Sequence, residues 1–512
     1  MVVSIALIDK PFHQWGWCGP PRFMQPGDTS MSRFARSFLA FLALGASAPA
    51  LAGPLADGDK MAIMADVDRG ADALAKNALQ IWNYAEIGFQ ETKSSALLQQ
   101  QLKAAGFTVE AGIAGMPTAF VARFRTGDGP VIGLLAEYDA LPGLPQAAEP
   151  VRKPIEGIAG HGCGHNLFGA ASVAAAIATK DWMVAHKIKG ELRLYGTPAE
   201  EGGSGKVFIV RAGLTKDVSA MIHWHAADSN SASQNTALAN ISGKFRFHGT
   251  AAHAAAAPER GRSALDGVEA MDAMVNMMRE HVPQETRIHY VITDGGKAPN
   301  VVPDTAEVYY YVRHPNQQVV ADIMDRVKKA AEGAAMGTGT TVEFNQVGGT
   351  FDLLPNDTLG HVMYDNLKQV TLPSYNAQEQ AFITQIQSSF PKGTRMGDGS
   401  VEAYSSGGLT PASTDVGDVS YTTPTVGMVA ATWAPGTPPH SWQAVAASGT
   451  SVGTKGAVVA AKAMALTAAQ LFQSPDTLAE AKAELDRRRG KDFVYRSLLG
   501  DKGPALEYRN GK

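Results

Sequence analysis

Four short clusters of carboxylate, imidazole and thiol side chains stand where a strand-like run ends or a helix begins. Glu137-Tyr138-Asp139 follows the apolar run Val131 to Ala136, Glu200-Glu201 follows a run ending near Gly196, and His223-Trp224-His225 follows Ala220 to Ile222. Cys163 and His165 lie in His161-Gly162-Cys163-Gly164-His165, a Gly-rich turn ahead of an Ala-rich stretch. Taken singly, each has an ordinary reading. Adjacent glutamates are usually a solvated pair, alternate histidines on a strand can simply pack, and a buried cysteine is commonly inert. Taken together, thiolate, imidazole and carboxylate form a borderline-soft donor set suited to zinc- or manganese-type divalent ions. In an open α/β sheet such groups meet beyond the carboxyl ends of the strands. Gly202-Gly203-Ser204-Gly205-Lys206 resembles a phosphate loop. The places where that motif needs its first Gly and its Ser or Thr hold Glu200 and Val207, which argues against nucleotide binding.

The elements that must position these groups alternate. The spacing predicts a helix from Asp66 to Phe107, a buried strand over 131–136, a helix over 167–184 and strands over 192–196 and 220–222. Strand and helix in alternation imply an α/β domain with a mixed, mostly parallel sheet flanked by helices. From about Asn240 the pattern changes to strand, helix (263–281), strand (287–292), strand (306–313), helix (319–335) and strand (340–344). That order is the split βαβ of a ferredoxin-like α+β domain. The expected organisation is a leader over 1–52, a first catalytic part over 53–240, an inserted domain over 241–351, a second catalytic part over 352–475 and a tail over 476–512. Residues 391–413 read as a long loop, and the charged tail as a solvated helix with a frayed end.

Length and charge narrow the class. The chain of 512 residues is long enough for two or three globular units, and its 45 % hydrophobic content suffices for a large core. Lys and Arg total 45 against 49 Asp and Glu, a net charge of −4, which gives no reason to expect nucleic acid or a membrane surface as partner. Arg33 and Arg36, the apolar run Phe38 to Leu44 and Ala50-Leu51-Ala52 follow the pattern of a cleaved secretory leader. A periplasmic or secreted protein is the expectation. Cys18 and Cys163 are the two cysteines. Cleavage after Ala52 would leave Cys163 without a pairing partner in its own chain, as a buried residue or a metal ligand.

Several stretches, in order, resemble the aminoacylase and carboxypeptidase G family of two-metal amidohydrolases, within it the branch acting on aminobenzoyl-glutamate and amino-acid conjugates. They are Trp82 to Gly106, Glu137 to Pro142, His161 to Asn166, Pro198 to Gly202, His253 to Pro258, Pro299 to Pro303 and Pro435 to Trp442. The resemblance implies two divalent metal ions, zinc or manganese, bridged by Cys163. Glu201 and His440 would complete one site, and His165 and His225 the other. Glu200 would be the general base, and Asp139 would orient a ligand from the second layer. His253 would stabilise the oxyanion across a dimer interface, and Asn300 and Arg313 would hold the substrate's carboxylate, Arg through its planar fork. His225 aligns better than His223. Glu137 stands where other members carry a metal-binding His, so its role is open, as is that of Ser413-Thr414-Asp415. The implied activity is hydrolysis of N-acyl or N-aroyl amino acids of the p-aminobenzoyl-glutamate kind, by a homodimer or higher oligomer formed through the inserted domain. The alternatives are a dipeptidase of the same fold and a non-catalytic periplasmic subunit of a paired hydrolase.

Overall fold

The computed structural model describes residues 55–509, and the leader read over 1–52 lies outside the described residues. The stretch expected as one helix is three: Asp57–Arg69, Ala71–Tyr84 and Thr92–Ala104. The apolar faces of the first two (Ile63 and Val67, Leu74 and Ile81) continue one helical period across the break between them. Gly70 separates the first two, and glycine is among the poorest residues for a helix interior. Ala85 ends the second in the left-handed region at φ 42°.

The large sheet runs in the order Thr108–Ala111, Phe120–Arg125, Glu191–Gly196, Val131–Ala136, Ala220–Ile222, Thr425–Val426. The last four strands are parallel and the first two join antiparallel, so the sheet is mixed and mostly parallel. Strand residues such as Ile132, Leu134, Leu192 and Leu194 are buried, as expected where helices cover a parallel sheet. The helix His165–Ala185 is long and apolar enough to cross a membrane, but most of its residues are buried in the core, where it packs on the helix Ser451–Phe472. Its small residues allow close approach. A Cβ on Gly169 would lie 2.8 Å from the Glu137 carbonyl, so the helix is seated against the end of the central strand.

A second sheet takes the order Arg287–Asp294, Thr305–His314, Ala239–His248, Thr341–Thr350, antiparallel throughout. In order along the chain this is 2-3-1-4, the ferredoxin-like arrangement. The helices Ala264–Met278 and Gln317–Thr338 close a separate core containing Phe245, Phe247, Met271, Tyr310 and Val327. Ser263 caps the first by accepting from the Asp266 N–H, and Asn316 caps the second.

Two loop expectations change. Within 391–413, Ser406–Leu409 forms a short strand beside Gln234–Thr236. The described part of the tail, to residue 509, is packed rather than frayed. The helix Pro475–Arg489 buries Leu478, Ala481 and Leu485, and Glu484 accepts from the backbone N–H groups of Asp357 and Thr358. Beyond it, Leu499 is buried and the Tyr495 hydroxyl donates to Asp418 at 2.6 Å. Burial pushes the Asp418 carboxyl up to about 7, against the pull of Tyr495 and the Phe351 N–H. A carboxyl raised on folding is protonated in the native state. Its stabilisation is therefore complete below its ordinary value of 3.8 and is lost as pH rises through about 7. The melting temperature of Asp418→Asn should fall less than that of the native chain between pH 4 and 7, and equal slopes would remove Asp418 as the cause.

Candidate metal centre

The chemical groups converge because the strand ends deliver them to one place. Glu137 and Asp139 leave the strand Val131–Ala136, and His165 is the first residue of the helix that follows the Cys163 turn. Gly164 makes that turn at φ 76°, where a Cβ would also strike Ala226. Glu200 and Glu201 sit in a turn after Glu191–Gly196, between Ala199 at φ 57° and Gly202 at φ 91°. A non-glycine residue at positive φ stores strain and needs support. Glu91 supplies it, accepting from the Ala199 N–H at 2.8 Å and from the Thr118 hydroxyl at 2.9 Å. Burial and the Asp139 charge push Glu91 up to about 8. His225 begins the strand His225–Ala227. His440 comes from a distant loop at φ 56° and is tied in by its N–H, which donates to the Gly162 carbonyl at 2.9 Å.

Two donor groups share one atom. Cys163, His165 and His225 offer ligand atoms within 4.8 Å of one another, and so do Cys163, Glu201 and His440. Cys163 Sγ lies 3.5 Å from His225 Nε2 and 3.4 Å from His440 Nε2, and His440 Nε2 lies 3.5 Å from Glu201 Oε1. A third group, Glu137, His165 and Glu200, adjoins them. His165 Nε2 is 3.0 Å from Glu137 Oε2 and 4.0 Å from Glu200 Oε2.

The neighbours set which nitrogens are free. Asp139 Oδ1 stands 3.0 Å from His165 Nδ1, and its other oxygen accepts from the Glu201 N–H at 2.9 Å. Acceptor atoms beside His165 Nδ1 and beside His225 Nδ1 (the Ala226 carbonyl, 2.8 Å) favour protons there and leave each Nε2 as the atom offered to a cation, that of His225 facing the thiol and that of His165 facing Glu137. His165 Nε2, Glu137 Oε2 and Glu201 Oε1 are buried with no hydrogen-bond partner. Burial pushes the Glu200 carboxyl well up, and so do the charges of Glu137, Glu201 and Asp415. Burial and Glu201 push the Cys163 thiol up. Burial opposes protonation of His165, yet Glu137, Cys163 and Asp139 outweigh it and raise its imidazole. Orphaned donors among crowded anionic groups fit divalent cations, whose charge reverses these penalties.

The other site residues lie elsewhere. His223 is outside the donor groups. Its ring packs over Gly427, and burial pulls it down to about 4. His253, Asn300 and Arg313 belong to the second-sheet domain. His253 is exposed and its Nδ1 accepts from the N–H groups of Ala255 and Ala256 at 3.2 and 3.1 Å, so its proton sits on Nε2. The Ala254 N–H donates to the Asn300 carbonyl at 3.0 Å, which keeps these two segments together. The Arg313 guanidinium lies over the Tyr311 ring, its Nε buried without a hydrogen-bond partner.

One residue of the centre is misleading in its sequence surroundings. Lys206 does not face phosphate. It is fully buried, with Nζ 2.7 Å from Glu137 Oε1 and 2.6 Å from Asp415 Oδ1, while its N–H donates to Asp415 Oδ2 at 2.9 Å. This gives both Glu137 and the Ser413-Thr414-Asp415 stretch a place. Burial opposes the Glu137 charge, but Lys206 and His165 hold its carboxyl low. Lys206→Met would strand two buried carboxylates, a loss of about 3–5 kcal/mol. Unfolding in urea should begin at distinctly lower concentration, and an unshifted curve would rule the triad out as a structural support.

Comparison with known proteins gives four results. Residues 239–338 match a peptidase dimerisation domain. The chain is 42 % identical over 453 residues to a p-aminobenzoyl-glutamate hydrolase subunit of Escherichia coli (strain K12), covering 83 % of this chain and 93 % of that one. It is 29 % identical to an Xaa-Arg dipeptidase of Mus musculus over 59 % of this chain and 70 % of the relative. Among solved structures, a dinuclear metal-binding peptidase of the M20 family from Bacillus subtilis shares the fold with a TM-score of 0.52 at 16 % identity, over 80 % of this chain and 99 % of that one.

Proposed function

From the premise that this chain belongs to the M20 family of metal-dependent peptidases and amidohydrolases, we propose that it hydrolyses the amide bond of N-acyl or N-aroyl amino acids, with conjugates like p-aminobenzoyl-glutamate as the substrate class. The observation that carries this reading is the thiol of Cys163, shared by two donor groups, with the carboxyl of Glu200 beside them and in neither.

Cys163, Glu201 and His440 would hold one divalent ion, zinc or manganese, and Cys163, His165 and His225 the other; bound there, such ions polarise a scissile carbonyl and lower the pKa of an attacking water. Glu200 takes the water's proton and returns it to the leaving nitrogen. Asp139 keeps His165 and the Glu201 backbone in register. The Nε2–H of His253 donates to the developing oxyanion. Asn300 and the Arg313 guanidinium take the substrate's carboxylate.

His253 stands outside the donor groups of its own chain, so the reading includes a homodimer in which a partner supplies it. The strand Arg287–Asp294 is an edge of its sheet, with Tyr290, Val291 and Ile292 exposed, and Met277 is exposed on the adjoining helix. An open apolar edge invites pairing with a second copy. Val291→Lys should halve the mass in solution and take turnover down with it; a variant that stays dimeric moves the interface elsewhere. The leader pattern supports export, tested by the N-terminal sequence of protein recovered from the periplasm.

The deciding experiment is metal analysis together with a panel of N-aroyl and N-acyl amino acids and dipeptides. Release of free amino acid, stopped by a chelator and restored by metal, is expected. Protein with both metals but no turnover on any amide would overturn the reading, and preference for dipeptides would move it to a dipeptidase.

A further inference from the structure

The Glu200–Gly202 turn is also held by residues that take no part in the proposed chemistry. The segment after the last helix crosses the molecule in steps. Tyr495 donates to Asp418, the Leu498 carbonyl accepts from Gln346 Nε2 at 2.8 Å, and the Lys502 carbonyl accepts from Arg211 at 2.5 Å. Gln346 belongs to the second sheet and Arg211 to the helix Gly205–Arg211, so the strap touches both domains. Its last described residues reach the metal centre. The Tyr508 hydroxyl donates to the Glu201 carbonyl at 2.9 Å, and Arg509 donates to the same oxygen at 2.5 Å.

The surroundings are shaped for this contact. A Cβ on Gly88 would collide with the Tyr508 hydroxyl, and the Tyr508 ring meets Phe89 edge-on with centroids 5.7 Å apart. A Cβ on Gly202 would lie 3.0 Å from the Tyr311 hydroxyl and 3.7 Å from both Tyr508 and Arg509. Arg509 also lies against the Tyr508 ring. The turn itself needs support, since Ala199 and Gly202 both have positive φ. Glu91 and Asp139 accept from its N–H groups on one side, at Ala199 and Glu201. Its Glu201 carbonyl is satisfied by the strap.

We infer that Tyr508 and Arg509 are positioning residues for the Glu200–Glu201 turn. By fixing the Glu201 carbonyl they fix the Glu201–Gly202 peptide, directly after the metal-ligand carboxylate and one peptide beyond the proton-transfer carboxylate of Glu200, while Asp139 holds the Glu200–Glu201 peptide by its N–H. The inference rests on the proposed roles of Glu200 and Glu201, and it concerns orientation alone. Both act through the Glu201 carbonyl.

The test uses the full chain carrying Tyr508→Phe, Arg509→Gln or both, since Phe keeps the ring against Phe89 while removing the donor. Three quantities are read: hydrogen exchange of the 197–205 peptide in metal-free protein, metal affinity by competition with a chelator, and kcat separately from KM. Loss of both donors should speed exchange of that peptide about thirtyfold to a thousandfold, as expected for one charged and one neutral hydrogen bond. Metal affinity should fall about tenfold to a hundredfold, the usual effect of removing an outer partner of a ligand. The effect on turnover should fall on kcat with KM little changed, and Arg509→Lys, which can still reach the carbonyl, should recover part of it. Unchanged exchange in the double variant overturns the inference whether or not the protein proves to be an amidohydrolase. So does a fall in melting temperature with native metal affinity and native kcat, which would make the strap a support for the fold alone. Native protein that exchanges slowly at 197–205 but hydrolyses no amide would instead overturn the proposed function and leave the exchange comparison to judge the strap.

Discussion

The Glu200→Gln variant is expected to keep both metals and to lose about a hundredfold to ten-thousandfold in kcat, the range that general acid–base groups supply. The amide has nearly the shape of the carboxyl but cannot accept the proton of the attacking water or pass it on. Metal binding should survive because Glu200 is not in either donor group that contains Cys163. Stability should not fall. Glu200 is surrounded by Glu137, Glu201 and Asp415, whose charges and the site's burial already penalise its ionised form, so a neutral side chain relieves repulsion. The measurements are metal content, melting temperature and kcat on one preparation. Loss of metal along with activity would make Glu200 a ligand, acting through the third group with Glu137 and His165. Retained turnover would assign the proton transfer to another group.

What is legible in the sequence follows local rules. Glu137, Glu200 and His225 each come shortly after an apolar run, and the ends of parallel strands are where an α/β sheet gathers ligands. The 2-3-1-4 sheet is legible for the same reason, since its strands alternate and its helices repeat at 3.6 residues. His440 has no such mark. It sits in Pro438-Pro439-His440-Ser441, outside any helix or strand, and only its match to a family stretch singles it out. What brings it to Cys163 is a backbone hydrogen bond to Gly162, a contact between segments far apart in the chain.

Lys206 shows a local signal misleading by its own success. Glycines around a lysine do make anion sites, and here the anions are the protein's own carboxylates. Nothing near Lys206 in sequence announces Asp415, 209 positions away. The strap fails in the opposite way. Residues 490–509 carry charge, glycine and no period, the marks of a free end, yet they are held by single side chains reaching backbone atoms: Arg211, Gln346, Tyr508 and Arg509. Periodicity reports buried faces and is blind to anchoring of that kind. The expectation of one long opening helix failed for a related reason, because a shared apolar period continues across Gly70 while the backbone does not.

Cys163→Ala is expected to lose both metals and all measurable turnover together, which no other single ligand change should do. His225→Ala removes a donor from one group and His440→Ala from the other, but Sγ of Cys163 belongs to both. Removing an outer partner of a ligand costs about tenfold to a hundredfold in affinity, and removing a directly bound thiolate from two sites at once should exceed that at each. The apo protein should stay folded. The thiol is buried but its contacts are to the imidazoles of His225 and His440, so Ala leaves a small gap and less desolvation penalty rather than a stranded charge. Metal content measured beside His223→Ala as the control makes the result specific, since His223 packs over Gly427 outside the donor groups and its loss should leave both metals bound. A Cys163→Ala protein that retained both metals would reduce the thiol to packing. The centre would then have to rest on Glu201 and His440 on one side and His165 and His225 on the other, with the third carboxylate group, Glu137 and Glu200 about His165, left to bridge them.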